Sequence, residues 1–253
     1  MTYKQSLYFT FDGVDSSEFN ILNVHTSSGM FEEQFLPTRN IVEEKTAHRH
    51  EPYFFGYEYE PIEFSVEAYL ENGFQDDDIK RIKKWLFKDG YKPFNFSDEP
   101  SKIYYCTVVS TPSAIHNGCK EGYLKIDFRC NSPFIYSPVY SERITVDNSV
   151  ILEIENNGDL DIYPIITIQK NIEGNVSIKN LSDGGNSLVI NNLTNEEIVE
   201  IDCENEIIET DDVSHFNLHE DISGEYVKLV TGVNRLEING SCLIEVVYQE
   251  KSF

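Results

Sequence analysis

The chain has 253 residues, of which 44 are acidic and 20 basic, so its formal net charge at pH 7 is -24. Such an acidic molecule repels polyanions, which argues against a protein that binds nucleic acid through Lys and Arg contacts to phosphate. Hydrophobic residues make up 40% of the chain and aromatic residues 13%, which is enough to build sizeable cores and argues against global disorder.

Membrane and export signals are missing from the sequence. No apolar run approaches the roughly 20 residues that a membrane-spanning helix needs. The start of the chain lacks the hydrophobic region of a signal peptide, so we expect a protein made and folded in a cytoplasm. The five cysteines include no C-x-x-C pair, which argues against a disulfide framework or a zinc site. We therefore predict reduced core or edge positions for Cys106, Cys119, Cys130, Cys203 and Cys242.

The first elements of the chain are predicted strands. Residues 7–16 indicate a strand that runs into a turn, and residues 19–24 indicate a second strand. Residues 62–70 alternate between apolar and polar side chains at period two, which predicts a half-buried strand.

Residues 27–60 mix charges with aromatic side chains and have few aliphatic partners. Aromatic rings supply contact area at low entropic cost, so this segment predicts an extended hairpin arm that packs on a neighbouring subunit. An ordinary hairpin folded back on its own sheet is the other interpretation, and the pattern leaves both open. The candidate subunit-interface residues are Tyr53, Phe54, Phe55, Tyr57 and Tyr59.

One helix is predicted, after residue 75. Residues 76–78 are aspartates placed for an N-cap and an acidic first turn, which explains them without a calcium site. Ile79, Ile82 and Leu86 recur at helical spacing, and Gly90 is expected to end the helix. Because the helix dipole favours cations near its C-terminal end, the basic residues there fit the same prediction. These residues are Lys80, Arg81, Lys83, Lys84 and Lys88.

Strands follow the helix at residues 103–110 and 122–130, and turn dipeptides recur along the whole chain. Dipeptides of this kind reach positive φ easily and suit tight hairpins, so they predict antiparallel sheets. They are Asp12-Gly13, Asn72-Gly73, Asn117-Gly118, Asn157-Gly158, Asp183-Gly184 and Asn239-Gly240.

The composition changes near residue 140. Residues 1–140 carry 14 basic and 21 acidic residues and 27 aromatics, whereas residues 141–253 carry 6 basic, 23 acidic and five aromatics. This shift predicts two domains, 1–140 and 141–253. The second half offers short Ile- and Val-rich strands, which suggest a sandwich or jelly roll. They cover residues 149–155, 162–169, 187–191, 198–202 and 242–248.

Candidate catalytic and metal-binding residues are few. Asp202 lies between apolar neighbours, but its place on an alternating strand favours an edge or turn carboxylate over a catalytic one. On a strand, His48 and His50 would share a face, but no third ligand is evident, which favours an exposed loop over a metal site. His215 and His219 are four residues apart, but polar neighbours indicate a loop rather than a zinc-binding helix.

No nucleophile or phosphate-loop motif occurs, so we predict no enzyme activity, no cofactor and no metal. Sugar-binding surfaces usually present Trp or Tyr faces. The only tryptophan, Trp85, lies in the first half, and the second half offers only Tyr163, Tyr226 and Tyr248 for such a platform.

Several short motifs follow one another along nearly the whole chain, at residues 9–17, 57–61, 82–86, 128–134, 156–158, 163–166, 201–203 and 232–234. Each motif alone is weak, and their order carries a resemblance. In this order they resemble the distal tail protein of long, non-contractile-tailed phages that infect Gram-positive bacteria.

The resemblance implies a mainly β protein. Its N-terminal domain would be β-sandwich-like and ring-forming, with one α-helix, and its C-terminal domain a jelly roll similar to galectins and carbohydrate-binding modules. Family members assemble as hexameric rings between the tail tube and a tail-associated fibre or lysin protein. DNA and the tape measure protein pass through the opening without specific binding. The implied location is the phage tail tip, after assembly in the host cytoplasm.

The leading hypothesis is therefore a structural tail-tip hub without enzymatic activity. The alternative is a carbohydrate-binding adhesin that contacts the host cell wall through the C-terminal domain. Some relatives carry an inserted receptor-binding module, for which this chain has no room, so direct sugar recognition is less expected. A wall hydrolase would rest only on the abundance of acids.

Overall fold

A computed structural model describes residues 6–24, 36–116, 121–215 and 217–253, apart from the side chains of residues 110–112 and 116. The chain divides into two compact units, residues 1–136 with Phe253 and residues 137–252. The units therefore separate after Tyr136, whereas the shift in composition had placed the boundary at residue 140.

Seven of the described strands of the first unit form one antiparallel sheet, and two more form a separate hairpin. The strands of this unit are β1 (Phe9–Phe11), β2 (Val14–Asp15), β3 (Ile21–Val24), β4 (Arg39–Glu44), β5 (Tyr53–Tyr59), β6 (Glu63–Leu70), β7 (Lys92–Phe96), β8 (Tyr104–His116), β9 (Gly122–Cys130) and β10 (Ile135–Tyr136). The sheet has the order β2-β1-β7-β8-β9-β6-β3, and the hairpin consists of β4 and β5. The short strand β10 belongs to neither.

The predicted helix is present as α1 (Asp76–Leu86), with its three aspartates in the first turn. Gln75, not Asp76, is the N-cap, and it makes no side-chain capping bond. Its amide instead donates to the Asn72 carbonyl at 3.3 Å. The helix also ends before Gly90, which has a φ of 74°. The aspartates therefore act through the helix dipole rather than as a cap.

The buried face of α1 packs on an aromatic core. The Trp85 indole N–H donates to the carbonyl oxygen of Phe11 at 2.9 Å, and its ring stacks on Phe19 with centroids 4.7 Å apart. Phe94 is fully buried at the centre of the core. Its ring lies 5.1 Å from that of Phe64. The aromatic residues of the first half of the sequence thus form its core.

The described strands of the second unit are β11 (Tyr140–Val146), β12 (Ser149–Asn156), β13 (Ile165–Lys170), β14 (Gly174–Asn180), β15 (Ser187–Leu193), β16 (Ile198–Asp202), β17 (Ile207–Thr210), β18 (Ile222–Gly224), β19 (Gly232–Asn239), β20 (Cys242–Tyr248) and β21 (Lys251–Ser252). All but the short β21 form a sandwich of two five-stranded sheets, with orders β11-β20-β13-β16-β17 and β12-β19-β14-β15-β18. Along the strands of these sheets buried and exposed side chains alternate, so one face of each sheet carries the Ile-, Val- and Leu-rich core.

The mainly β fold with one α-helix and a hairpin arm is confirmed for the described residues. Several strands agree closely with their predicted bounds, including β6, β9, β16 and β20. The predicted strand at residues 19–24 is shorter, because a 3-10 helix occupies Ser16–Phe19 and leaves only β3.

The turn dipeptides predicted the positions of turns correctly more often than they predicted which strands pair. Asp12-Gly13 and Asp183-Gly184 do connect paired strands, β1 with β2 and β14 with β15. Asn72-Gly73 instead leads from β6 into α1, and neither Asn157-Gly158 nor Asn239-Gly240 joins paired neighbours. Local φ preference does not choose a strand's hydrogen-bonding partner, which explains these errors. Asn117-Gly118 lies outside the described residues.

Candidate functional site

The hairpin of β4 and β5 contains all five candidate interface residues. Its strands pair only with each other among the described strands, in antiparallel register from Arg39 opposite Tyr59 to Glu44 opposite Tyr53. Every residue of both strands is exposed except Gly56, which is half-buried. The hairpin is therefore not folded onto the seven-stranded sheet, and its aromatic side chains face solvent.

One face of this hairpin arm is largely apolar. Residues directly opposite each other in an antiparallel pair share a face, which places Ile41 beside Tyr57. The ring of Phe54 meets that of Tyr57 edge-on at 5.1 Å across the bulge in the register. Ile41 is 59% exposed and Phe55 66% exposed. A contiguous apolar surface of this kind is typical of a protein–protein contact.

Arginines hold two of the tyrosine rings in place. The Arg39 guanidinium lies 4.5 Å from the centroid of the Tyr57 ring, and the Arg49 guanidinium lies 3.9 Å from that of Tyr53. Such cation–π contacts are worth about 0.5–1 kcal/mol at exposed sites. They limit the motion of the aromatic side chains and so reduce the entropic cost of burying them against another surface.

The histidines of the hairpin loop do not form a metal site with their described neighbours. His48 and His50 are both exposed, in the connection between β4 and β5, as the loop interpretation predicted. No group of three or more His, Cys, Asp or Glu side chains suited to a metal ion occurs in the described ranges.

Asp202 is a turn carboxylate. Its Oδ1 accepts hydrogen bonds from the backbone N–H groups of Glu204 and Asn205, each at 3.0 Å. Its Oδ2 accepts from the Asn205 side chain at 2.8 Å, and this bond together with the backbone bonds lowers the pKa of Asp202. The carboxylate is thus occupied in shaping the turn after β16, as expected for a structural acid.

The sequence interpretation missed a polar network around His215. The ring Nδ1 lies 2.9 Å from Glu197 Oε1, and Nε2 lies 3.0 Å from Asp221 Oδ2. The Glu197 side chain is 0% exposed and that of His215 is 13% exposed. His215 therefore belongs to a half-buried Glu197–His215–Asp221 network rather than to a freely solvated loop.

Both carboxylate oxygens of Glu197 accept hydrogen bonds. One oxygen accepts from the backbone N–H of Thr194 at 2.7 Å and the other from the Thr210 hydroxyl at 2.7 Å. Burial raises the pKa of Glu197, but the bonds from Thr194, Thr210 and His215 outweigh it and the net pKa is lowered. The pKa of His215 is raised, first by its bond to Asp221 and then by Glu197, against the effect of burial. The network thus favours an imidazolium between two carboxylates.

The possible sugar platform of the second unit is small. Among the tyrosines predicted for such a platform, Tyr163 is exposed, whereas Tyr248 is buried. The hydroxyl of half-buried Tyr226 donates to the carbonyl of Glu206 at 3.0 Å. Exposed Tyr140 also belongs to this unit and lies 5.5 Å from Tyr248, ring to ring. The predicted boundary had assigned Tyr140 to the first domain.

Four cysteines are buried and free, as the core prediction stated, namely Cys106, Cys130, Cys203 and Cys242. Burial raises the pKa of the Cys130 and Cys203 thiols to about 12. Cys119 lies outside the described residues. Within the ranges that the structure describes, no helix is long and apolar enough to cross a bilayer.

Comparison with known proteins relates both units to phage tails. A family model described as a phage tail protein N-terminal domain matches residues 4–132, and one described as a phage tail C-terminal domain matches residues 134–248. The SPbeta prophage-derived uncharacterized protein YomH of Bacillus subtilis (strain 168) is 30% identical in an alignment that covers 98% of each chain.

Two solved structures share the fold. The crystal structure of the SPP1 Dit protein matches with a TM-score of 0.68 and 16% identity, over 96% of this chain and 98% of that chain. A chain of the phage P2 baseplate in its activated, Ca-containing conformation matches with a TM-score of 0.51 and 9% identity, over 96% and 97% of the two chains. With the family models matched across both units and a full-length relative, the chain belongs to the phage tail protein family.

Proposed function

We propose that this protein is the structural hub at the distal end of a long, non-contractile phage tail. In this role six copies form a ring that joins the tail tube to the tail-tip fibre or lysin protein. The observation that carries the proposal is the fold match, across both units, to SPP1 Dit, which is described as a hub adsorption apparatus protein of phages infecting Gram-positive bacteria. In this role the protein positions other tail components and catalyses no reaction.

The exposed hairpin arm supports assembly. A monomer in water gains nothing from a hairpin that leaves Tyr53, Phe54 and Phe55 exposed. Burial against a neighbouring copy would remove this surface from water and stabilise the contact by about 25 cal/mol for each Å² of apolar area. Closed cyclic symmetry then repeats one modest interface around the ring, so that the contacts reinforce one another.

The acidic composition suits a channel through which DNA moves without binding. A net charge of -24 disfavours phosphate contacts, because binding relies on Lys and Arg to displace the counterions of DNA. The tape measure protein and DNA would therefore pass the ring without being retained. Virions would carry the protein at the tail tip after assembly in the host cytoplasm.

Light scattering with size-exclusion chromatography and negative-stain microscopy test the proposal. We expect rings of the wild-type protein, alone or with its tail tube protein. Substitution of Tyr53, Phe54 and Phe55 by Ser should raise the concentration needed for assembly while leaving the circular dichroism spectrum unchanged.

A matched variant controls for a general loss of apolar surface. In this variant Ser replaces Tyr163 and Val213, which are exposed residues of the second unit. This control should assemble like the wild type. A wild-type protein that stays monomeric at high concentration, even beside the tube protein, would count against the hub.

A further inference from the structure

An apolar groove of about 710 Å³ lies in the first unit between α1 and the sheet. Its walls include Ile79, Leu86 and Phe87 from the helix side and Val108, Ala114 and Leu124 from strands β8 and β9. Phe87 is 90% exposed. The groove is thus an open apolar surface, with a volume in the range of sites that take up side chains or ligands.

Two lysines of the groove carry uncompensated charge. Lys83 and Lys84 line it, and neither forms an ion pair with any described residue. The other basic residues on and after the helix do have partners: Lys80 with Asp77, Arg81 with Asp78 and Lys88 with Asp12. In a chain of net charge -24 this groove is therefore a local positive site suited to an acidic, apolar segment.

The hairpin arm has the complementary chemistry. Its apolar face, with Ile41, Phe54 and Tyr57, is continued by Glu43, which stands opposite Phe54 in the register. Glu43 is exposed and forms no ion pair within the described part of the chain, whereas the adjacent Glu44 belongs to the opposite face of the strand. Apolar rings beside an unpaired carboxylate match an apolar groove beside two unpaired ammonium groups.

The arm and the groove belong to opposite ends of the same strands. The base of the arm, at Thr38 and Glu60, lines a small pocket together with Glu63 and Arg129. Glu63 pairs with Arg129 at one end of the β6–β9 ladder, whereas the groove residue Leu124 pairs with Ala68 near the other end. Arg129 lies five positions along the strand from Leu124, about 17 Å at a rise of about 3.3 Å per residue.

We propose that the arm of one copy docks in the α1 groove of the next copy, with Glu43 facing Lys83 and Lys84. The inference rests on the proposed hub function and names the contact that builds its ring. Because arm base and groove lie at opposite ends of β9, the contact is head-to-tail, and each copy uses both of its surfaces. A head-to-tail contact closes into a ring when the rotation between copies allows it.

A charge-swap experiment tests the contact on the full chain. Variant A carries Lys83→Glu and Lys84→Glu, so its arm and groove are both acidic. Variant B carries Glu43→Lys, so its arm and its groove both present lysine. Each variant alone should need at least a tenfold higher concentration to assemble than the wild type. A 1:1 mixture should assemble nearly as well as the wild type, because every A–B contact is complementary and six is an even number.

A covalent test applies even where assembly is weak. The photo-crosslinking residue p-benzoylphenylalanine replaces exposed Phe87, and a mixture of ¹⁴N- and ¹⁵N-labelled chains is irradiated at high concentration. We expect crosslinks to residues 39–60 of a chain with the other label. The same substitution at Val213, exposed in the second unit, is the control and should give none to the arm.

The outcomes separate the contact from the function. The docking of the arm would be overturned, and the hub left intact, if the wild type forms rings and variants A and B assemble equally well. Crosslinks from position 87 that are confined to the same chain or to regions outside the arm would have the same consequence. Crosslinks to the arm without rings, even beside the tube protein, would uphold the contact and remove the hub.

Discussion

Replacement of Glu197 by Gln perturbs the Glu197–His215–Asp221 network without changing its volume. At pH 6 the two oxygens of Glu197 each face a group that can only donate, the backbone N–H of Thr194 on one side and the His215 imidazolium on the other. A glutamine has a single oxygen, so one donor must face an NH₂ group. Leaving a buried donor unsatisfied costs about 1–3 kcal/mol, and we expect this loss in the free energy of unfolding at pH 6.

The same substitution should cost less at pH 9. A neutral His215 can accept at Nδ1 from the glutamine NH₂ while Nε2–H donates to Asp221. The expected cost then falls below about 1 kcal/mol, because each polar group regains a partner. The difference in the free energy of unfolding between wild type and variant should therefore become smaller as the pH rises.

In the wild-type protein, the pKa shifts of His215 and Glu197 independently predict how stability changes with pH. The pKa of His215 is raised above its usual 6.5 in the folded state, so its contribution is complete below pH 6.5 and is lost as the pH rises through the folded pKa. The pKa of Glu197 is lowered from 4.5, so its contribution is complete above pH 4.5 and is lost as the pH falls through the folded pKa. The network should stabilise the second unit most between about pH 4.5 and 6.5.

Urea unfolding of the full chain, followed by far-ultraviolet circular dichroism from pH 5 to 9, measures these effects. Fluorescence of Trp85, the only tryptophan, reports the first unit separately. Glu200→Gln on the exposed face of β16 is the matched control and should change little at any pH. An equal cost of Glu197→Gln at pH 6 and pH 9 would refute the paired imidazolium.

Three further predictions concern packing, backbone and thiols. Phe94→Ala should lower the free energy of unfolding seen by Trp85 fluorescence by about 3–5 kcal/mol, because it empties a fully buried site; a loss below 1 kcal/mol would contradict a close-packed core. Gly224→Ala places a Cβ 1.9 Å from the Ser187 carbonyl oxygen, whereas Gly232, also at positive φ, has free space. Gly224→Ala should therefore lower the urea midpoint more than Gly232→Ala, and equal shifts would disprove the clash. Burial and raised pKa should make four thiols unreactive toward a disulfide reagent at pH 8 until urea is added, and peptide mapping would reveal any early labelling of Cys106, Cys130, Cys203 or Cys242.

The amino-acid sequence by itself determined the local elements of this protein. Strict alternation set β6, and helical spacing with an acidic first turn set α1, because each pattern matches the repeat of its backbone. The change from an aromatic to an aliphatic composition likewise marked two differently built cores. The aromatic segment was recognisable as a candidate contact surface from residue types alone.

Only the tertiary structure decided which elements meet. An apolar face in the sequence predicts burial but does not identify the partner that covers it. The sequence therefore left open whether the arm folds back on its own sheet. It also did not predict the groove beside α1. The bond from Trp85 to Phe11 joins residues 74 positions apart. His215 likewise receives its carboxylates from Glu197, 18 residues earlier, and from Asp221. Such partners are chosen by chain topology, since local periodicity holds no information about distant residues.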